Sequence, residues 1–266
     1  KKSICLGTTG IFDVNGKIQF KIEATTPSYI EMRKILSLYQ NDYEVLFFEV
    51  SSHALQQNRL YDLRLQAAGW CSFSQDHLDY HGSMENYFNA KMKIIDHLVS
   101  ASGALVVPQR ECALYEQIQQ KMADKNRLIA TRSLKERGII EKLPEQFLPD
   151  FNQNNLEVAI QINELLYGPL GKIDLGPLRM PSGRFQLQQI GEISVIIDYA
   201  HTPDAIARLL ISAKKAFSDK KLVIVLGCGG NRDRSKRKMM GAMAERYADK
   251  IVVTSDKPRR EASEAI

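Results

Sequence analysis

The chain has 266 residues, 44% of them apolar and 25% charged, with 36 basic against 31 acidic side chains for a net charge of +5. At roughly 150 residues per domain this predicts nearer two domains than one, and so average a composition excludes collagen-like, disordered and low-complexity chains. The modest basic excess suits a small anionic ligand rather than nucleic acid, no apolar run approaches the roughly 18 residues that cross a bilayer, and without a leader pattern the cytoplasm is the expected compartment.

Short apolar runs alternate with helix-period segments throughout, the pattern of an α/β fold in which a mostly parallel sheet is flanked by helices. Thr26-Pro27 can cap and start a helix whose inward face is Ile30, Ile35, Leu36 and Leu38. Residues 43–50, YEVLFFEV, read as a central strand, with 67–73 and 103–107 as its neighbours. A helix from Met84 to Leu98 puts Met84, Tyr87, Phe88, Ile95 and Leu98 on one stripe, with Lys91 inside it and Lys93 outside. A helix over about 112–122, a strand over 127–131 and a helix over 156–166 follow.

Residues 168–184, GPLGKIDLGPLRMPSGR, are dense in glycine and proline and predict a junction between a domain at 1–180 and a second at 181–266. Beyond it come a strand at 193–197, a helix opened by Thr202-Pro203, a strand at 222–226, a basic helix from about Ser235 to Tyr247 and a strand at 251–254. The second domain is thus also strand-helix-strand, the expectation being part of a Rossmann-like domain.

Ligands of open parallel sheets bind beyond the carboxyl ends of the strands, so residues that close an apolar run have positional priority. Glu49 ends YEVLFFEV and is either a metal ligand or a carboxylate paired with an arginine. In SQDHLDYH, residues 74–81, His77 and His81 have the spacing of a helical zinc site, but Leu78 stands where the general base of H-E-x-x-H would be. Asp76, His77 and Asp79 suit magnesium beside phosphates, or form a polar capping loop. Lys91 on its apolar stripe either reaches the neutral, nucleophilic amine form or snorkels to water. The 222–226 strand runs into GCGGNRDRSKRK, where backbone N–H groups, Arg232, Arg234, Lys236, Arg237 and Lys238 can hold an anion or line a solvated helix face. No G-x-x-x-x-G-K-[ST] phosphate loop occurs, and Cys5, Cys71, Cys112 and Cys228 make no C-x-x-C pair and read as buried thiols.

Taken together, EVSSHALQQNR (49–59), DHLDYHGSMENYFNAK (76–91), DYAHTPDA (198–205), GCGGNRDRSKR (227–237) and TSDKPR (254–259) resemble the Mur ligases, in order and over nearly the whole chain. The similarity is greatest to those that add the third amino acid of the peptidoglycan stem peptide. It implies a monomeric cytoplasmic enzyme with uridine-binding, ATPase and amino-acid-binding domains. This chain would supply most of the second and part of the third, starting just after the phosphate loop. ATP would phosphorylate the carboxylate of a UDP-N-acetylmuramoyl-dipeptide, and a diamino acid would attack the acyl phosphate. No nucleic acid or membrane is implied as a partner.

By this resemblance Glu49, His77 and Lys91 bind magnesium, Lys91 as a carbamate formed with carbon dioxide. Thr25, Thr26, Ser51, Gln57 and Arg59 hold the muramoyl-dipeptide, and Asp198 and His201 contact the nucleotide. Arg232 lies at the reaction centre, and Asp256, Lys257, Pro258 and Arg259 select the amino acid. Arg259 favours meso-diaminopimelate, whose distal carboxylate it would grip, although Lys257 replaces the asparagine usual in D-N-P-R. Gln186 stands where the related G-R-x-E motif has glutamate, and the 131–151 stretch is short for the family. Alternative readings are a sister ligase of the folylpolyglutamate or cyanophycin synthetase type and a non-catalytic substrate-binding fragment.

Overall fold

A computed structural model describes residues 1–13, 15, 16, 18–20, 22, 24–99 and 102–266, with the backbone alone for 18–20. In chain order the elements are β1 (Ser3–Gly7), β2 (Gly10–Asp13), β3 (Ile18–Phe20), α1 (Tyr29–Tyr39), β4 (Val45–Phe48), α2 (Ser52–Gln56), β5 (Ala67–Gly69), α3 (Leu78–His81), α4 (Met84–Met92) and β6 (Ala104–Val107). They continue as α5 (Cys112–Lys121), β7 (Leu128–Ala130), α6 (Leu134–Arg137), α7 (Asp150–Tyr167), β8 (Gln186–Ile190), β9 (Ile193–Ile197), α8 (Pro203–Ala216), β10 (Val223–Leu226), α9 (Ser235–Tyr247) and β11 (Lys250–Val253). The chain folds into two compact units, one of residues Lys1–Gln66 with Glu85–Gly103, the other of Ala67–Met84 with Ala104–Ile266.

In the first unit the strand order is β3-β2-β1-β4, with β1 parallel to β4 and antiparallel to β2. Alternation along β1 sends Ile4 and Leu6 to one face, where they pack with Ile11 and with Met32 and Ile35 of α1. Cys5 and Phe47, on the other face, are exposed. YEVLFFEV therefore lies at the edge of this sheet, not at its centre, and 67–73 and 103–107 contribute to another sheet. A continuous apolar run signals burial but cannot reveal which strands pair with it. The start of α1 also differs from expectation. Ser28, not Thr26, is its N-cap, in a capping box with Glu31 that satisfies donors at both positions.

The second unit holds the parallel sheet β5-β6-β7, the antiparallel hairpin β8-β9 and the parallel pair β10-β11. All four residues of β6 are buried, as befits a middle strand. Helix α7 approaches β5 closely because position 69 is glycine: a Cβ there would meet Val158 Cγ1 at 2.6 Å. Helices α8 and α9 close over β10 through Ile206, Leu210, Ile224, Met240 and Ala244. Thr202 caps α8 with Pro203 at its first turn, as the sequence predicts.

Other boundaries moved. The 84–98 segment is α-helical only to Met92 and then a 3₁₀ helix to His97, α7 starts six residues before the expected Leu156, and β8 was not anticipated. Cys5 and Cys112 are exposed thiols rather than buried ones. No helix among the described residues is long and apolar enough to cross a membrane.

Candidate active site

The carboxyl end of β4 in the first unit gathers most of the residues singled out there. Glu49 Oε2 accepts from Thr8 Oγ1 at 2.7 Å and from Thr8 N at 3.0 Å. Gly7 leaves the space that this requires, since a Cβ there would lie 2.6 Å from Glu49 Cδ. Thr8 Oγ1 is 3.0 Å from Thr25 Oγ1, and the buried Thr26 hydroxyl donates to the Glu49 carbonyl at 2.8 Å while accepting from Ser51 N at 3.0 Å. Ser51 caps α2 through its Oγ. Arg59 donates through Nη1 to the Thr26 carbonyl at 2.7 Å and through Nε and Nη2 to Gln57 Oε1 at 2.9 and 2.7 Å. Thus Glu49, Thr25, Thr26, Ser51, Gln57 and Arg59 form one hydrogen-bonded network joined through Thr8, and among the described residues Glu49 has no arginine partner. Half-buried Lys91 sits in the last turn of α4 with Nζ 5.7 Å from the Tyr87 ring centroid.

In the second unit Asp76 is the hub of a charged cluster. Its Oδ2 lies 3.1 Å from His201 Nε2 and 3.4 Å from His77 Nε2, and its Oδ1 accepts from Lys236 Nζ at 3.0 Å. Burial opposes the carboxylate's charge, but the His201 hydrogen bond, the adjacent His77 and Lys236 together outweigh it, so Asp76 is held far below the usual carboxylate range. The bond to Asp76 raises the His201 pKa, whereas burial lowers that of His77. His77 adopts a left-handed backbone, φ 55°, at the start of α3, a rare conformation for a residue with a Cβ. His81, four residues on, is buried.

Beside this cluster a cavity of about 250 Å³ is walled by residues including Ser74, Asn154, Asn155, Asp198, Thr202 and Arg208. Asp198 itself accepts from the backbone N–H groups of Phe185 and Ala200, both at 2.8 Å, so it shapes the wall at the end of β9. Asn154 is 4% exposed, and its Oδ1 has no hydrogen-bond partner among the described residues. Arg208 is held by Glu111 and Asp204.

The parallel pair β10-β11 places the loops after both strands side by side. A Cβ at Gly227 would meet the Thr254 carbonyl at 2.6 Å and Asp256 Cβ at 2.9 Å, and one at Gly230 would run into the Pro258 carbonyl. The glycines of GCGG thus admit the D-K-P-R backbone. Gly230 N donates to the Lys257 carbonyl at 3.2 Å, Arg259 Nη1 to the Gly230 carbonyl at 2.7 Å, and Arg260 N to Asn231 Oδ1 at 2.9 Å. Lys257 and Arg259 both have positive φ. Of the five cations at the start of α9, Arg234 and Arg237 pair with Glu261 and Lys236 with Asp76. Arg232 and Lys238 are exposed and have no ion pair among the described residues.

Sequence reading passed over Thr8, Asn154, Arg208 and Glu261, which carry no motif of their own; Asp76 and Lys236 stood inside motifs that were noticed without being given these partners. Among the described residues no group of three or more His, Cys, Asp or Glu side chains is placed to hold a metal ion.

Residues 2–162 match the Mur ligase middle domain, and residues 183–266 match the Mur ligase glutamate ligase domain. The chain belongs to the Mur ligase family. A relative from Anaplasma marginale (strain St. Maries), UDP-N-acetylmuramoyl-L-alanyl-D-glutamate--2,6-diaminopimelate ligase, is 34% identical over 98% of this chain and 59% of its own length. A solved structure of a ligase of that name superposes with a TM-score of 0.60 at 27% identity, covering 100% of this chain and 58% of that one. Folylpolyglutamate synthase of Mycobacterium tuberculosis complexed with ADP shares the fold, with a TM-score of 0.63 at 15% identity over 96% of this chain and 68% of that one. This Mur ligase chain thus spans about three fifths of the length of the curated relatives it matches, and its α/β architecture is that of the family.

Proposed function

We propose that the protein containing this chain is an ATP-dependent ligase that adds meso-diaminopimelate to UDP-N-acetylmuramoyl-L-alanyl-D-glutamate. The observation that carries this reading is the network at the end of β4, in which Thr25, Ser51, Gln57 and Arg59 form a polar surface beside Glu49, braced from beneath by the buried Thr26 hydroxyl. Hydroxyls, an amide and a guanidinium held in this way suit the polar and anionic groups of a muramoyl-dipeptide. On this reading residues 1–180 belong to the ATPase domain and 181–266 to the amino-acid-binding domain.

The reaction moves the γ-phosphoryl group of ATP to the dipeptide's terminal carboxylate, leaving ADP and an acyl phosphate. The amine of the diamino acid then attacks the acyl carbon, phosphate departs, and an amide remains. Such chemistry needs positioning and neutralised charge more than covalent help. Magnesium would supply positive charge against the polyphosphate, held by Glu49, His77 and the carbamate of Lys91. Glu49 fits that role because both Thr8 donors bind Oε2, and Oε1 accepts no hydrogen bond among the described residues. Asp76 orients His77. The cavity beside Asp198 and Asn154 suits a nucleoside, His201 standing nearby through Asp76. Arg232, with no carboxylate partner among the described residues, is available to the reacting anion. Arg259 spends one N–H on Gly230 and keeps the rest of its fork for a carboxylate, which supports diaminopimelate over lysine.

The test is diaminopimelate-dependent ADP release by the full-length gene product with UDP-N-acetylmuramoyl-L-alanyl-D-glutamate. Turnover with that pair is expected. Folded protein that shows none, or that uses lysine instead, would sink the assignment of acceptor or of amino acid respectively.

A further inference from the structure

Glu261 is a carboxylate that neither the motifs nor the proposed chemistry uses. Its side chain is 8% exposed, and each of its two oxygens accepts from two donors. Oε1 accepts from Asn231 N at 2.5 Å and Arg237 Nη2 at 2.9 Å; Oε2 accepts from Arg237 Nη1 at 3.1 Å and Arg234 Nη2 at 2.8 Å. The Arg237 grip is a fork on a fork, the strongest form of such a pair. Arg237 is rooted in the first turn of α9, beside the buried Lys236 and one turn before the buried Met240. Glu261 therefore joins three parts of the second unit: the helix start, the loop bearing Arg232, and the segment bearing Arg259.

The two arginines offered to ligands depend on that junction. Arg232 adjoins Asn231, whose N–H Glu261 takes and whose Oδ1 accepts from Arg260 N, next to Arg259. Arg237 and Arg234 would otherwise be unneutralised cations repelling the same groups. We propose that Glu261 is the positioning residue that sets the spacing of Arg232 and Arg259, and with it the fit of the incoming diamino acid. This inference rests on the proposed function, in which residues 256–259 select that amino acid.

The experiment is steady-state kinetics on the full-length gene product carrying Glu261→Gln or Glu261→Asp. Gln keeps the size but loses the charge that holds Arg234 and Arg237. It should raise KM for meso-diaminopimelate tenfold or more, with KM for ATP and for the muramoyl-dipeptide within twofold. Asp can hold the Arg237 fork but cannot also reach Asn231 N, so an intermediate KM is expected. A merely structural carboxylate would instead lower the melting temperature and leave all three KM values alike, and that result overturns the proposal. So does failure of both variants to fold. Should the wild type prefer lysine, the diaminopimelate assignment fails while the Glu261 comparison is read on the lysine KM. A wild type without ligase activity overturns the function and the positioning role together.

Discussion

Lys91 stands in the last turn of α4. The three-four stripe placed it beside apolar neighbours, and the structure has it half-buried near the Tyr87 ring, with Tyr87, Phe88 and Ala90 buried on the same helix. Only the neutral amine can add carbon dioxide, and the product exchanges a cation for an anion, so the modification would invert the charge offered to a divalent ion. Lys91→Ala should abolish turnover in the full-length gene product, and a short carboxylate such as acetate, standing in for the lost carbamate oxygens, should restore part of it; activity untouched by the substitution would remove the carbamate from the mechanism. Legibility at this scale was uneven for a physical reason. Glu49 could be singled out because a carboxylate closing an apolar strand is costly, but its partner Thr8 is 41 residues away. Asp76 meets His201 and Lys236 across 125 and 160 residues. Such pairings leave no periodic trace.

Elements whose signals are local were read well. Thr202-Pro203 starts α8, and α9 runs from Ser235 to Tyr247 as expected, because caps and helical periodicity act within a few residues. Sheet order was not legible, since β4 pairs with β1 across a crossover that no local pattern encodes. Nor was the reason for GCGG, whose backbone N–H groups the sequence offered to an anion. Its glycines instead make room for the neighbouring strand's loop: Gly227 faces Thr254 and Asp256, and Gly230 faces the Pro258 carbonyl. Gly230→Ala cannot be absorbed by a flexible side chain, because the obstacle is backbone. The D-K-P-R segment must shift by an ångström or more, and a displacement of that size at a binding group costs on the order of 10²-fold in rate. A loss of roughly that size in kcat/KM for the diamino acid, with the helices intact by circular dichroism, is expected; unchanged kinetics would mean that the two loops are not coupled.

At the scale of the whole molecule, family membership and the α/β class were legible because five long motifs occur in order, a constraint that no single spacing imposes. What this chain can do by itself is a separate question, since it spans 59% of a relative such as that of Anaplasma marginale. Phosphoryl transfer relies on donors that cradle the β- and γ-phosphates and on a lysine that follows them, the group usually written G-x-x-x-x-G-K-[ST]. That pattern occurs nowhere in these 266 residues. The proposed ligands Glu49, His77, Lys91 and Arg232 are side chains, and side-chain charge is no substitute for a ring of backbone N–H groups that fixes the polyphosphate in line with an attacking carboxylate. The 266-residue chain, purified alone and supplied with ATP, magnesium, UDP-N-acetylmuramoyl-L-alanyl-D-glutamate and meso-diaminopimelate, should therefore release no ADP above background. The full-length gene product assayed in parallel should release it in proportion to amide formed. Turnover by the shorter chain would show that the cavity beside Asp198 and the cations of α9 suffice to hold all three phosphates, and the division of labour argued for these residues would have to be redrawn.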